Sequence, residues 1–107
     1  MIPKPPKHLK PATRKWWTQI VTDYDLSSSD LRLLTLSAEA HDRCTDARET
    51  VAKEGAFYKN FHGEPRAHPA VAVERDARLA VARLLRELAL DAEPLPDPRV
   101  PRLRGRS

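Results

Sequence analysis

Four histidines and one cysteine are the side chains here whose types could hold a metal or activate a nucleophile: His8, His41, His62, His68 and Cys44. Their spacing argues against both. His41 and Cys44 stand at i,i+3, which would put them together on a helix, but two ligands leave a zinc site half built. His62 and His68 flank a turn and suit a carboxylate or phosphate partner, or no partner at all. Gly55, Gly63 and Gly105 lie far apart, and no GxxxxGK[ST] loop is present to cradle a nucleotide phosphate. No nucleophile stands beside a base, so no catalytic residue, no metal and no cofactor is assigned. The chain reads as something other than an enzyme.

The chemistry the sequence does offer is charge. Residues 1–15 carry Lys4, Lys7, Lys10, Arg14 and Lys15 and no acid. Residues 99–107 carry Arg99, Arg102, Arg104 and Arg106 and no acid. The 83 residues between hold ten bases against fifteen acids. A mildly acidic body with two basic arms suits a polyanion, because each phosphate neutralised releases counterions. A polyanion of this kind is most often a nucleic acid, and these nine cations are the candidate contacts. Tails that only aid solubility are the competing reading.

The elements that would position these arms are helical. Ser27-Ser28-Ser29-Asp30 has the form of a capping box, and Lys53-Glu54-Gly55 supplies a glycine where a left-handed cap is needed. Between them Leu33, Leu36, Ala40, Cys44, Ala47 and Val51 recur at steps of three and four, which predicts one long helix over 27–55. Leu31, Leu34 and Ala38 widen its apolar face. Cys44 falls on that stripe and reads as a small core residue. Upstream, Pro11 fits a first helical position, and Trp16, Ile20 and Tyr24 line one side of a helix over 11–24. One or both of Trp16 and Trp17 belong to the core, with Trp17 a candidate contact surface.

After Gly55 the segment Ala56-Phe57-Tyr58-Lys59-Asn60-Phe61 is aromatic-rich, and His62-Gly63-Glu64-Pro65 offers turn chemistry. Strands over 56–60 and 64–67 would form a small β-hairpin or an extended excursion. Pro69 opens a third helix over 69–88, with Val73, Ala77, Ala80, Leu84 and Leu88 as its stripe. The expected fold is mainly α: an antiparallel αα-hairpin plus a third helix, with the β-hairpin between helices two and three. Residues 1–10 form a basic Pro-rich arm, 11–90 the helical domain and 91–107 a Pro/Arg-rich tail. The apolar supply exceeds what so small a core hides, so Trp17, Leu31, Leu34, Phe57, Tyr58 and Phe61 are candidate oligomer or partner contacts. No apolar run approaches a membrane span and no signal sequence opens the chain, so a soluble, intracellular protein is expected.

The order of these features resembles a known family. A lead of Pro6-Lys7-His8-Leu9-Lys10-Pro11 runs into a Trp-containing helix. A Ser-capped helix follows, with Leu31, Leu33, Leu34, Leu36, Glu39 and Ala40. Then come Lys53-Glu54-Gly55, a strand with Tyr58, a Gly63 turn, Ala67-His68-Pro69-Ala70-Val71 and the ending Leu84-Leu85-Arg86-Glu87-Leu88-Ala89-Leu90. Over residues 5–91 this is similar to the small terminase subunits of tailed bacteriophages and prophages. Lys10 departs from the pattern, standing where the family often has a capping Ser or Thr, and Leu90-Asp91 replaces a Gly-Leu-Thr/Ser ending. The resemblance implies a non-catalytic component in the host cytoplasm. It would assemble into a homo-oligomeric ring, bind viral double-stranded DNA and hand it to the large terminase subunit. The polyanion met by the nine cations would then be DNA. ATP hydrolysis and DNA cleavage would belong to that partner. A helical adaptor that binds only proteins is the alternative. A small transcriptional regulator fits less well, since the second helix is too long and too acidic for a recognition helix.

Overall fold

The Ser27 capping box forms as its spacing requires. The Ser27 hydroxyl accepts the Asp30 amide at 3.1 Å, and the Asp30 carboxylate accepts the Ser27 amide at 3.0 Å. The computed structural model, which describes residues 2–91, 93 and 94, places behind this cap one helix of 27 residues, α2 (Ser28–Glu54). It stops at Gly55, which does not take the expected left-handed helical cap: its φ of 89° is positive but its ψ of 159° is extended, a combination closed to residues with a Cβ. Before α2 lie α1 (Pro11–Asp23) and the two-residue strand β1 (Tyr24–Asp25); after it come β2 (Phe57–Lys59), β3 (Pro65–Ala67), α3 (Pro69–Asp91) and β4 (Glu93–Pro94). β2 and β3 form an antiparallel hairpin with Phe57 opposite Ala67 and Lys59 opposite Pro65.

Both neighbours of α2 run antiparallel to it. Along α3, Glu54 meets His68, Arg48 meets Glu74, and Leu34 clusters with Leu88. Along α1, Lys10 meets Asp46 and Trp17 meets Thr35. The expected mainly-α architecture, with its hairpin between the second and third helices, is what the chain adopts.

The core has two textures. Leu9, Trp17, Leu34 and Leu88, packed around Ala38, form a mainly bulky cluster where α1, α2 and α3 converge. From Ala40 onward, the buried α2–α3 seam is built from small residues: Ala40, Cys44 and Ala47 on α2, and Ala70 and Ala77 on α3. Small side chains let two helices approach toward the close end of the usual interaxial range.

Three expectations need correction. Leu36, placed on the buried stripe, is 51% exposed, and Ser37 beside it is buried with its hydroxyl donating to the Leu34 carbonyl at 2.9 Å. The N-terminal half of α2 contacts two helices, so its buried face turns toward both and leaves Leu36 outside. Val73, expected in the α3 stripe, is likewise exposed. Finally, α3 continues to Asp91, and the chain then pairs Asp25 with Glu93 and Tyr24 with Pro94, within a segment read as tail.

Candidate nucleic-acid interface

The N-terminal segment is not a loose arm in this structure. Leu9 is a buried peg in the bulky cluster, and its amide donates to the Pro6 carbonyl at 3.4 Å. On either side of the peg a basic residue meets α2. His8 Nε2 donates to Glu39 Oε2 at 2.8 Å, and Lys10 Nζ lies 2.7 Å from Asp46 Oδ1. The hydrogen bond to Asp46, and then its charge, hold the Lys10 ammonium above the usual lysine pKa. Asp42 takes a structural part. Its Oδ2 accepts the Lys10 amide at 2.8 Å and its Oδ1 accepts the Thr13 hydroxyl at 2.5 Å. Lys10 occupies the cap of α1 and makes no capping bond of its own. A carboxylate from another helix does that work, and its charge also suits the positive end of α1.

These contacts divide the candidate DNA residues. Lys4, Lys7 and Lys15 are exposed and have no acidic partner among the described residues. Arg14 is half-buried and also lacks an acidic partner, whereas Lys10 is engaged. Arg99, Arg102, Arg104 and Arg106 lie outside the described residues. On α3, Arg75 pairs with Asp76 and Arg78 with Glu74, while Arg83 and Arg86 are exposed without an ion-pair partner among the described residues.

The candidate contact residues divide as well. Trp17 is buried, its Nε1 donating to Thr35 Oγ1 at 3.3 Å. Leu34 is fully buried and Leu31 packs half-buried against the same cluster. Trp17 and Leu34 therefore belong to the interior of the chain, not to a surface. Phe57, Tyr58 and Phe61 are displayed: 70%, 48% and 93% exposed. Asn60 shapes the loop that displays them. Its Oδ1 accepts the amides of His62 and Glu64 at 2.9 and 3.0 Å, and Gly63 follows with φ 79°. Phe61 leans on His62, with ring centroids 4.1 Å apart.

The remaining chemistry-bearing side chains tie helices together. His68 heads α3: its Nδ1 accepts the Ala70 amide at 3.0 Å, so the proton sits on Nε2, which donates to Glu54 at 3.0 Å. Glu74 gathers Arg48 at 3.0 Å, Arg78 at 3.4 Å and the Cys44 thiol at 3.4 Å. The Arg48 hydrogen bond above all holds the Glu74 carboxyl below its usual value, while burial pushes the Cys44 thiol up and keeps it an unreactive core group. His41 is exposed whereas Cys44 is buried, and among the described residues no three potential ligands gather at a metal site.

Sequence reasoning missed Asp42, Asn60 and Glu74. An acid on a helix surface carries no local mark of the amide or guanidinium it will meet thirty residues away. Asn60 did carry a signal, since Asn two residues before a turn amide is a recognised Asx arrangement.

A family model described as phage terminase, small subunit, matches residues 13–93. The chain belongs to that family. The match runs through all three helices and the β-hairpin. It covers Arg14 and Lys15 but not Lys4, Lys7 and Lys10, nor residues 99–107. The helical body is thus the family's small-subunit body, and membership implies a role in phage DNA packaging. No curated protein and no solved structure matches the chain. Among the described residues no helix of this small subunit is long and apolar enough to cross a membrane.

Proposed function

We propose that this terminase small subunit is a non-catalytic, homo-oligomeric adaptor. It binds viral double-stranded DNA through its basic ends and presents it to the large terminase subunit, whose ATPase and nuclease it modulates. The family match across the helical body carries the packaging role. The DNA contact rests on charge. Lys4, Lys7 and Lys15 are exposed with no acidic partner among the described residues, beside an acidic body, with the arginines of 99–107 as the second set. Such cations meet phosphates, which positions a protein on a duplex but reads little sequence. Assembly would multiply weak contacts by raising their effective concentration. The exposed Phe57, Tyr58 and Phe61 supply the apolar surface for assembly or for docking the large subunit.

Two measurements test this. Fluorescence anisotropy with a duplex across a salt titration should show weak binding, and Lys4→Gln with Lys7→Gln should weaken it by a similar factor for unrelated sequences. Unchanged affinity in that double variant refutes the N-terminal contact. Native mass spectrometry should give a defined oligomer that Phe57→Ala or Phe61→Ser shifts toward monomer. A wild-type monomer at micromolar concentration refutes the assembly.

A further inference from the structure

The strap at residues 8–10 is basic, and it is clasped by acids of its own chain. Glu39, Asp42 and Asp46 follow one another along α2 at steps of three and four. At the helical rise their carboxylates are spaced by about 4.5 and about 6 Å along the axis, a line of negative charge comparable with one DNA strand, at about one charge per 3.4 Å. Asp42 is committed to the α1 cap. Glu39 and Asp46 are not: among the described residues the carboxylate of each holds only the side chain of a strap residue, His8 or Lys10. Leu9 anchors the strap between them, so both basic groups stay in reach whether clasped or released.

We propose that Glu39 and Asp46 act as an internal stand-in for phosphate. They hold His8 and Lys10 closed against α2, and DNA must displace them before these two groups join Lys4, Lys7 and Lys15. This rests on the N-terminal segment being a DNA contact. The clasp weakens the first encounter, because a duplex displaces two carboxylates for every gain at the strap. It also filters the ligand: a polyanion of high charge density competes, and an isolated anion does not.

The test compares the full chain with Glu39→Ala/Asp46→Ala and with a charge-matched control, Asp23→Ala/Glu87→Ala. Asp23 and Glu87 are exposed and neither acts on Lys10, whereas Glu49 also raises the Lys10 ammonium pKa and is left in place. The clasp variant should bind a duplex about 1.4- to 5-fold more tightly for each pair released. Its salt slope should steepen by about 0.9 per added phosphate contact. The control should gain less, with an unchanged slope, and Lys10→Gln should cancel the part of the gain due to Asp46. Amine labelling read by mass spectrometry gives a DNA-independent measure: Lys10 should label more slowly than Lys4, Lys7 and Lys15 in the wild type, and as fast as they do in the clasp variant. Equal gains in the clasp variant and control, or a gain undiminished by Lys10→Gln, overturn the clasp as a competitor. Lys10 labelling as fast as Lys4 in the wild type overturns the clasp itself. Loss of nothing on Lys4→Gln/Lys7→Gln, with Lys10 still protected, overturns the DNA reading beneath it.

Discussion

Replacing Asp42 by alanine should cost this small subunit more stability than any other single surface carboxylate. The side chain accepts two hydrogen bonds from α1, one from the Lys10 amide and one from the Thr13 hydroxyl. Removing a helix cap costs about 1 kcal/mol. Thr13 is buried, so losing its acceptor strands a hydroxyl away from water, at about 1–3 kcal/mol. Asp42 is itself half-buried and the α1 end can admit water, so the sum lies at about 2–3 kcal/mol. For a chain of this size that lowers Tm by roughly 8–20 °C. Asp42→Asn keeps one acceptor oxygen and should lose about half as much. Thr13→Val removes the donor while leaving the carboxylate free to hydrate, and should cost about 1 kcal/mol or less. Urea unfolding at one fixed protein concentration measures all three, because assembly would make the midpoint depend on concentration. An Asp42→Ala midpoint equal to wild type refutes the idea that α2 caps α1.

Gly55→Ala should lower stability by about 1–3 kcal/mol through backbone strain alone, since an added Cβ would meet only the Phe57 carbonyl at an ordinary 3.7 Å; thermal melting reads it. His68→Ala should cost about 1 kcal/mol by removing the cap of α3, and His68→Asn should restore most of that, which circular dichroism melts would show. Glu74 titrates below its usual 4.5 in the folded chain, so its contribution is complete above that pH and is lost as pH falls through the lowered value. Acid unfolding followed by fluorescence should therefore be less steep in Glu74→Gln, and an unchanged profile would show that Arg48 and Arg78 do not hold that carboxylate.

Features set by near neighbours were readable from sequence. The Ser27 box and Gly55 bound α2 because their signals act within one turn of the backbone. Gly63 and Pro69 marked the hairpin turn and the start of α3 for the same reason. Leu36 was misplaced because periodicity gives the width of an apolar face but not how many helices share it. α2 serves two partners at one end and one at the other, and a single stripe cannot express that. Lys10 illustrates the same limit. Its type suggested a free phosphate contact, yet its partner is an acid 36 residues along the chain. The strand pair of Tyr24–Asp25 with Glu93–Pro94 had no sequence signal, because two-residue strands carry no pattern.

The contrast between the bulky cluster and the alanine seam implies a gradient of firmness along the long axis of α2. Near Leu34 each helix loses large apolar contacts if it moves, so opening there approaches the cost of global unfolding. Toward Gly55 the fully buried residues are all small, joined by a few polar ties, and local opening is cheaper. Hydrogen exchange should accordingly quicken from the amides around Leu34 and Leu88 toward those of 47–54 and 69–75. The aromatic hairpin hangs from the yielding end, while the clasped strap is tied midway along α2, at Glu39 and Asp46, with Leu9 in the bulky cluster. Accommodation to the curvature of a neighbouring surface would therefore occur at the tip carrying Phe57 and Phe61, leaving the basic strap in fixed register with the rest of the subunit.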